Sequence, residues 1–328
     1  MLVHLGRRIP SFVTDAIRQA ALFSDDPVYL IAEREALAAF EGPRGRFQPV
    51  ATEDLDLGTI HRSFRRNLRV PLRKLDLWIS SMERFFHMRA AMKALSLENA
   101  IQLETDVMIY ADLRPLTRTM AGLYNGVALP FMDNHRVIPS VVFLRSAKAA
   151  EAVCEYIVDT VHARPGPGLS EMEVLRRAHS DLGRAVVDSL PILPKGHSES
   201  LLTRRGEPAE YPETYSRNAD TIGYIFDAAA IGQYLAGPDR RHSKRIGLFA
   251  RASIHPDPQP GFLNESSYID ASRFDVSWTV DQRARIVPKL SQNQQEGVPL
   301  ANIHVHSKHL RMFASDRTEI GFNDRRAF

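Results

Sequence analysis

Asn99-Ala100-Ile101-Gln102-Leu103-Glu104-Thr105-Asp106 decides how this chain of 328 residues is read. The run up to Leu103 is short and mostly apolar, as expected of a strand buried on both faces. It then ends in two carboxylates one residue apart. Acids placed where a buried strand runs out sit at the rim of a sheet. There they can hold a hard divalent cation, Mn²⁺ or Mg²⁺, through oxygen, leaving coordination positions for water or substrate phosphates. The plain alternative is a solvated turn. A second constellation near the other end favours the metal: Ile303-His304-Val305-His306-Ser307-Lys308. If residues 301–308 are extended, the period of two sets His304, His306 and Lys308 on one face and Ile303 and Val305 against the core. An imidazole there can complete a metal site begun by carboxylates, and a lysine can neutralise phosphate charge. The expected metal ligands are therefore Glu104, Asp106, His304 and His306.

Outward from this stretch, strands and helices alternate. Leu2 to Leu5 reads as a first strand, followed by a loop punctuated by Gly6 and Pro10. His4 and Gly6 in that loop could let a nucleotide approach the backbone closely. Ser11 can cap a helix whose Val13, Ile17, Ala20 and Ala21 share a face, and Val28 to Ile31 is a second strand. Leu75, Ile79, Met82 and Phe86 recur at helical spacing before the strand that delivers Glu104. Gly126 to Pro130 and Ser140 to Leu144 are strand candidates, and Ser146 opens a helix stopped by Pro165-Gly166-Pro167-Gly168. Ser170 and Glu173 have capping-box spacing, opening a helix carried by Leu175, Ala178, Leu182, Val186 and Leu190. Residues 195–218 read as a polar loop, and the last hundred as short strands and loops. The pattern predicts an α/β fold: a mainly parallel mixed sheet flanked by helices, with an elaborated C-terminal part. One domain over 1–328 is expected, in two halves, 1–145 with the E-x-D motif and 146–328 with the C-terminal part.

Composition narrows the function classes. The 42 basic and 39 acidic residues leave a net charge of +3, too small to imply a nucleic-acid partner. A single cysteine, Cys154, excludes an intramolecular disulfide, fits a reducing compartment and reads as a core thiol in an apolar helical pattern. No apolar run is long enough to span a bilayer, and the first residues lack a signal-peptide core, so a cytoplasmic protein is expected. The stretch 62–74 holds Arg62, Arg65, Arg66, Arg69, Arg73 and Lys74. With few aromatics it suits phosphate contact rather than base reading, or simply a solvated helix face. Asp227, inside the apolar segment Tyr224 to Leu235, is a partly desolvated carboxylate. It suits either tuned acid–base chemistry or the cap of a short helix ended by Gly237-Pro238.

Arg84-Phe85-Phe86 on a helix, followed by Ile101-Gln102-Leu103-Glu104-Thr105-Asp106-Val107-Met108-Ile109-Tyr110, resembles the central region of GT-A-fold nucleotide-sugar glycosyltransferases. In these nucleotide-diphospho-sugar transferases a D-x-D or E-x-D motif after a strand binds the metal and the donor diphosphate. The segment 303–308 is similar to their C-terminal histidine and lysine segment. Phe226-Asp227-Ala228-Ala229-Ala230-Ile231-Gly232-Gln233-Tyr234 resembles one in bacterial and viral members. The resemblance implies a GT-A-like, Rossmann-like fold and transfer of a hexosyl or related group from a nucleotide-sugar to an acceptor hydroxyl on a glycan or glycoconjugate. It also implies Mn²⁺ or Mg²⁺ and a UDP- or GDP-linked donor. The first acid here is glutamate, one methylene longer, so Glu104 is expected on the ribose or a metal-bound water and Asp106 on the metal. Lys308 would assist the leaving phosphate, with Arg84 and Gln233 in donor binding. In an inverting mechanism Asp227 is the first candidate for the acceptor base, with Glu265 and Asp239 behind it. Two rival classes share these features: a metal-dependent nucleotide-sugar hydrolase or nucleotidyltransferase, and a non-enzymatic polyanion-binding protein using 62–74.

Overall fold

A computed structural model describes residues 1–43, 45–68, 76–163, 170–196, 207–236, 274–291 and 297–316. In chain order the strands are β1 (Leu2–His4), β2 (Tyr29–Ala32), β3 (Gln48–Ala51), β4 (Ala100–Leu103), β5 (Val107–Ile109) and β6 (Val127–Pro130). They continue with β7 (Val141–Leu144), β8 (Val187–Leu190), β9 (Asp275–Val280), β10 (Ile286–Ser291), β11 (Val298–Pro299) and β12 (Asn302–His304). The α-helices are α1 (Val13–Leu22), α2 (Arg34–Ala38), α3 (Gly58–Asn67), α4 (Asp76–Ala94) and α5 (Leu113–Leu123). After them come α6 (Ala147–Ala163), α7 (Glu171–Leu182), α8 (Ala219–Ile222) and α9 (Ala230–Ala236). The expected helix stops at 165–168 and at Gly237-Pro238, and Leu75 of the α4 pattern, lie outside the described residues. By its contacts the chain divides into two units. The first is Met1–Pro10, Asp26–Thr105 and Thr117–Ser189; the second is Ser11–Asp25, Asp106–Leu116 and Leu190–Phe328.

The first unit carries a seven-stranded sheet in the order β3-β2-β1-β4-β7-β6-β8. Strands β3, β2, β1 and β4 run parallel, and β7 is antiparallel to both β4 and β6. This is the α/β class and mainly parallel mixed sheet that the alternation of strands and helices predicts. Every residue of β4, β6, β7 and β8 is buried, which is why their sequences do not alternate apolar with polar. Helix α4 packs on α6, α7 and β1, and it is buried nearly all round from Met82 through Met92, polar residues included. The charged residues inside that stretch are paired, as burial requires. Glu83 takes His61 at 2.7 Å and also Arg65, and Arg89 donates to Glu151 at 2.7 Å and to the Leu57 carbonyl at 2.8 Å. Cys154 is buried in α6, and burial pushes its thiol up, so it stays a protonated core group.

The capping box expected at Ser170 and Glu173 is present in both directions. The helix it opens is shorter than the apolar spacing suggests. It ends at Leu182, because Gly183 takes a positive φ of 78°. Val186 and Leu190 therefore belong not to the helix but to the approach and end of β8.

In the second unit β9, β10 and β11 form an antiparallel sheet, and β12 pairs antiparallel with β5. Phe23, Tyr110, Trp278 and Phe313 make a chain of ring contacts with centroids 5.8–6.2 Å apart. Arg285 lies 3.9 Å above the Phe23 ring, held by Asp281 and Asp112. Gln19 is buried and fully engaged, donating to the Ile109 carbonyl at 2.7 Å and the Ser315 hydroxyl at 2.8 Å. Among the described residues, no helix is long and apolar enough to cross a membrane.

Gly126 shows how tightly the first sheet closes. A Cβ there would lie 2.2 Å from the Val186 carbonyl oxygen and 2.6 Å from that of Ala185. Both atoms are backbone and cannot swing away. Gly126→Ala is expected to cost about 1–3 kcal/mol, read from the denaturant midpoint. An unchanged midpoint would show that the β6–β8 edge yields.

Candidate functional site

The first unit's sheet changes direction of construction between β1 and β4. From β1 the chain builds outward through β2 and β3; from β4 the sheet continues on the other side. The carboxyl ends of two such strands flank the crevice where α/β sheets bind ligands. His4 closes β1, and its Nε2 donates to the Arg8 carbonyl at 2.8 Å. A Cβ on Gly6 would come within 2.8 Å of that ring nitrogen, so this loop is folded over His4 and a side chain at position 6 would displace it. Burial lowers the His4 pKa, which favours the neutral ring. Glu104 follows β4, and its N–H donates to the Ser140 carbonyl at 2.8 Å, carrying the ladder one residue past the strand. Arg84 of α4 donates to Glu104 Oε1 at 2.5 Å. Two of the expected donor-binding residues are thus in contact.

Glu171 is a residue that the sequence reading misses. It stands at the first position of α7, where an acid usually faces water and the helix dipole. Here it is buried, accepts a hydrogen bond from Ser81, and burial raises its pKa to about 7. Nothing in the capping pattern signals that burial.

In the second unit, Asp106 precedes β5, and β12 returns to pair with β5 in the register Asn302↔Ile109, Ile303↔Met108, His304↔Val107. The Val305 N–H then donates to the Asp106 carbonyl at 2.9 Å. His304 Nε2 lies 3.3 Å from Asp106 Oδ2, and the Lys308 ammonium donates to the same oxygen. Burial by itself would raise the Asp106 carboxyl. The positive charge brought by His304, Lys308 and His306 outweighs it and holds Asp106 well below the usual carboxylate range.

Two expectations change here. Asp106 is not on a solvated rim: it is only 6% exposed. Nor is 301–308 one extended strand. Strand pairing stops at His304, and the chain turns, with His306 N–H on the His304 carbonyl at 3.2 Å and Lys308 N–H on that of Val305 at 2.9 Å. Lys308 takes a positive φ of 63°, uncommon for a side-chain-bearing residue. The turn still brings the expected groups together. The His304 and His306 rings lie 4.0 Å apart, Lys308 reaches Asp106, and Ile303 and Val305 are in the core. Phe12, which the sequence reading does not single out, lies 5.7 Å from the Lys308 ammonium, ring face toward it.

Asp227 is fully buried, and its carboxylate is occupied by backbone. Oδ1 accepts from the Ile231 N–H at 2.9 Å; Oδ2 accepts from Gly232 at 2.8 Å and from His304 at 3.0 Å. Its own N–H donates to Asn302 Oδ1 at 3.1 Å. An acceptor base needs an oxygen open to a hydroxyl, and here both oxygens are committed. The capping alternative is the geometry observed, extended across to β12. Burial raises the Asp227 pKa, partly offset by these N–H groups. A Cβ on Gly232 would lie 2.0 Å from the His304 carbonyl oxygen, so only glycine lets α9 lie this close to β12. Gln233 Nε2 donates to His306 Nδ1 at 2.8 Å.

Glu265 and Asp239, with Arg69, Arg73 and Lys74 of the basic stretch, lie outside the described residues. Arg62 and Arg66 are exposed on α3, while Arg65 is paired with Glu83.

No family model matches the chain, and no curated protein matches it significantly. Among solved structures it is similar to the galactosyltransferase LgtC in complex with donor and acceptor sugar analogs, at 12% identity and a TM-score of 0.37, over 58% of this chain and 73% of that one. It is similar to an active-site mutant of LgtC at 14% identity and a TM-score of 0.40, over 66% and 83% of the two chains. Mouse xyloside xylosyltransferase 1 in its apo form is similar at 11% identity and a TM-score of 0.40, over 66% and 92%.

Two substitutions check this geometry. Asp227→Asn turns an acceptor into a donor against backbone N–H groups and is expected to cost about 1–3 kcal/mol by denaturant titration. No loss would mean the clamp is not holding α9 to β12. Glu171 has a raised pKa, so the folded state holds its proton more tightly than the unfolded state. Its contribution is fully present below the ordinary value of 4.5 and is lost as pH rises toward about 7. The wild-type stability curve should therefore fall across that window, by at most on the order of 3 kcal/mol, and Glu171→Gln should flatten it. An unchanged slope in the variant would remove Glu171 as its source.

Proposed function

We propose that this chain is a divalent-cation-dependent glycosyltransferase, moving a sugar from a nucleotide-sugar donor to an acceptor hydroxyl. The observation that carries the reading is the convergence of Asp106, His304 and Lys308, with 202 residues separating Asp106 from Lys308, through β5–β12 pairing. The motifs in which these residues lie are the ones that resemble GT-A transferases.

The donor set suits a cation. Asp106 is held ionised, as a ligand must be, and the His304 ring nitrogen faces the same oxygen. One carboxylate and one imidazole fit Mn²⁺ better than Mg²⁺, which prefers oxygen alone. Asp106 and His304 would hold the ion, and Glu104, kept in place by Arg84, would serve the donor nucleotide. When bound, the cation supplies electrostatic stabilisation of the charge that develops on the leaving phosphate.

The remaining roles fall to side chains. Lys308 can turn its ammonium from Asp106 to a phosphate oxygen and neutralise charge there. His4 and Gly6 shape the loop at the end of β1 for the nucleotide. Gln233 fixes the His306 ring, which sets the second imidazole beside the first. We assign Asp227 to positioning rather than to the acceptor base. It fixes the backbone of His304, and with it the ring that faces Asp106. Glu265 keeps its place as the candidate base.

The test is calorimetric titration of UDP, GDP, CDP, CMP and dTDP, with Mn²⁺ and with chelator, on wild type and Asp106→Asn. One nucleotide should bind only with Mn²⁺ and only to wild type. Folded protein that binds no nucleotide in the presence of Mn²⁺ would sink the reading. Donor turnover with and without an acceptor then separates a transferase from a nucleotide-sugar hydrolase.

A further inference from the structure

Lys308 has an unusual backbone for a residue that carries a side chain. Its φ of 63° lies in the left-handed region, which a Cβ disfavours. Three contacts show what this turn achieves. The Lys308 N–H closes it on the Val305 carbonyl at 2.9 Å. The ammonium lands on Asp106 Oδ2, the oxygen that lies 3.3 Å from His304 Nε2. The Phe12 ring lies 5.7 Å from the same ammonium. The Lys308 side chain is 28% exposed and that of Asp106 9%, so the lysine charge is drawn inward instead of being left in water.

Such a pair is a poor source of stability. Both ions lose water, a long side chain is restrained, and the backbone that aims it is itself disfavoured. The arrangement therefore calls for another reason. Asp106 Oδ2 belongs to the pair, with the His304 ring nitrogen, that is assigned above to the cation. An ammonium and a divalent ion at one carboxylate oxygen repel each other, the more so where little water screens them. Lys308 and the cation are thus competitors for one atom. An anion within reach of the flexible four-carbon stem would settle the competition by taking the ammonium elsewhere. The diphosphate of a nucleotide-sugar is an anion of that kind.

We propose that Lys308 is an internal counter-ion that keeps the cation position at Asp106 closed until a diphosphate draws its ammonium away. The proposal deepens the transfer reading and rests on it for the source of the diphosphate, though not for the contact itself. Its consequence is coupling. Cation and diphosphate each bind weakly alone and more tightly together, because each removes an obstacle to the other.

The experiment uses Mn²⁺ alone as probe, with the free ion read from its EPR signal. It is run on the full chain at about 0.5 M salt, where long-range charge is screened and direct competition is not. The proteins are wild type, Lys308→Met and Lys308→Asn; asparagine tolerates the left-handed backbone and keeps the test open if the first variant does not fold. Both variants should bind Mn²⁺ about tenfold more tightly than wild type. Inorganic pyrophosphate, at one concentration for all proteins, should close that gap and leave wild type at least as tight as the variants. In chelator, a double-mutant cycle of Lys308→Asn with Asp106→Asn should show coupling of about fivefold or more in the unfolding constant. Equal Mn²⁺ affinity in wild type and variants overturns the proposal. So does a gap that pyrophosphate leaves open, a cycle without coupling, or Mn²⁺ binding to none of the proteins. The transfer reading is decided separately, by the nucleotide titration.

Discussion

Three residues of β12 lie against three of β5, and the candidate centre depends on that short ladder. It sets His304 beside Val107 and so beside the residue that precedes it, Asp106. Without the ladder, Asp106 would be an acid in a turn, and the histidines and lysine would be solvated side chains far away in sequence. The ladder is itself held from behind. Asp227 receives N–H groups from Ile231, Gly232 and His304 together, which ties the start of α9 to the end of β12 through one carboxylate. A buried carboxylate is costly unless its oxygens are satisfied, and these are satisfied by backbone alone. Gly232 is the steric condition for that arrangement, since a side chain at 232 would occupy the space of the His304 carbonyl.

The same balance governs Asp106. It is buried, which opposes ionisation, yet three basic groups around it prevail. A buried ion cluster of this sort contributes little net stability, because desolvation cancels much of the attraction. What it provides is a fixed charge in a fixed place. The strained backbone at Lys308 fits that view, since it bends the chain so that the ammonium reaches Asp106 instead of following the strand direction.

The sheet class was legible in the sequence because buried strands are short apolar runs and their helices carry periodic faces. β4, β7 and the capped start of α7 lie where those patterns place them. The end of α7 was not, because apolar spacing continues past Gly183 while the backbone does not; a positive φ is a conformational fact that periodicity cannot report. The meeting of Asp106 with the 303–308 segment was legible as an expectation. Their burial was not. Charged residues are read as surface by default, and Asp106 and Asp227 are buried only because partners far along the chain offset the cost. The role of Asp227 turned on the same point, since an isolated aspartate in an apolar run reads equally as base or cap until its hydrogen bonds are seen. The burial of Glu171 left no mark at all, because an acid in the first turn of a capped helix reads as solvated.

The ladder between β5 and β12 also has a consequence in time. Asp106 is joined to the growing polypeptide long before His304 and Lys308 exist, and sequence-distant pairings are the slowest to close. Until residue 308 has been added, Asp106 lacks the positive charges that keep it ionised in a buried place, and β5 lacks its partner strand. During synthesis the first sheet can assemble around β1, β2, β3 and β4 while the cluster at Asp106 stays open. The cluster at Asp106 therefore closes only after the segment 302–308 has been added and paired.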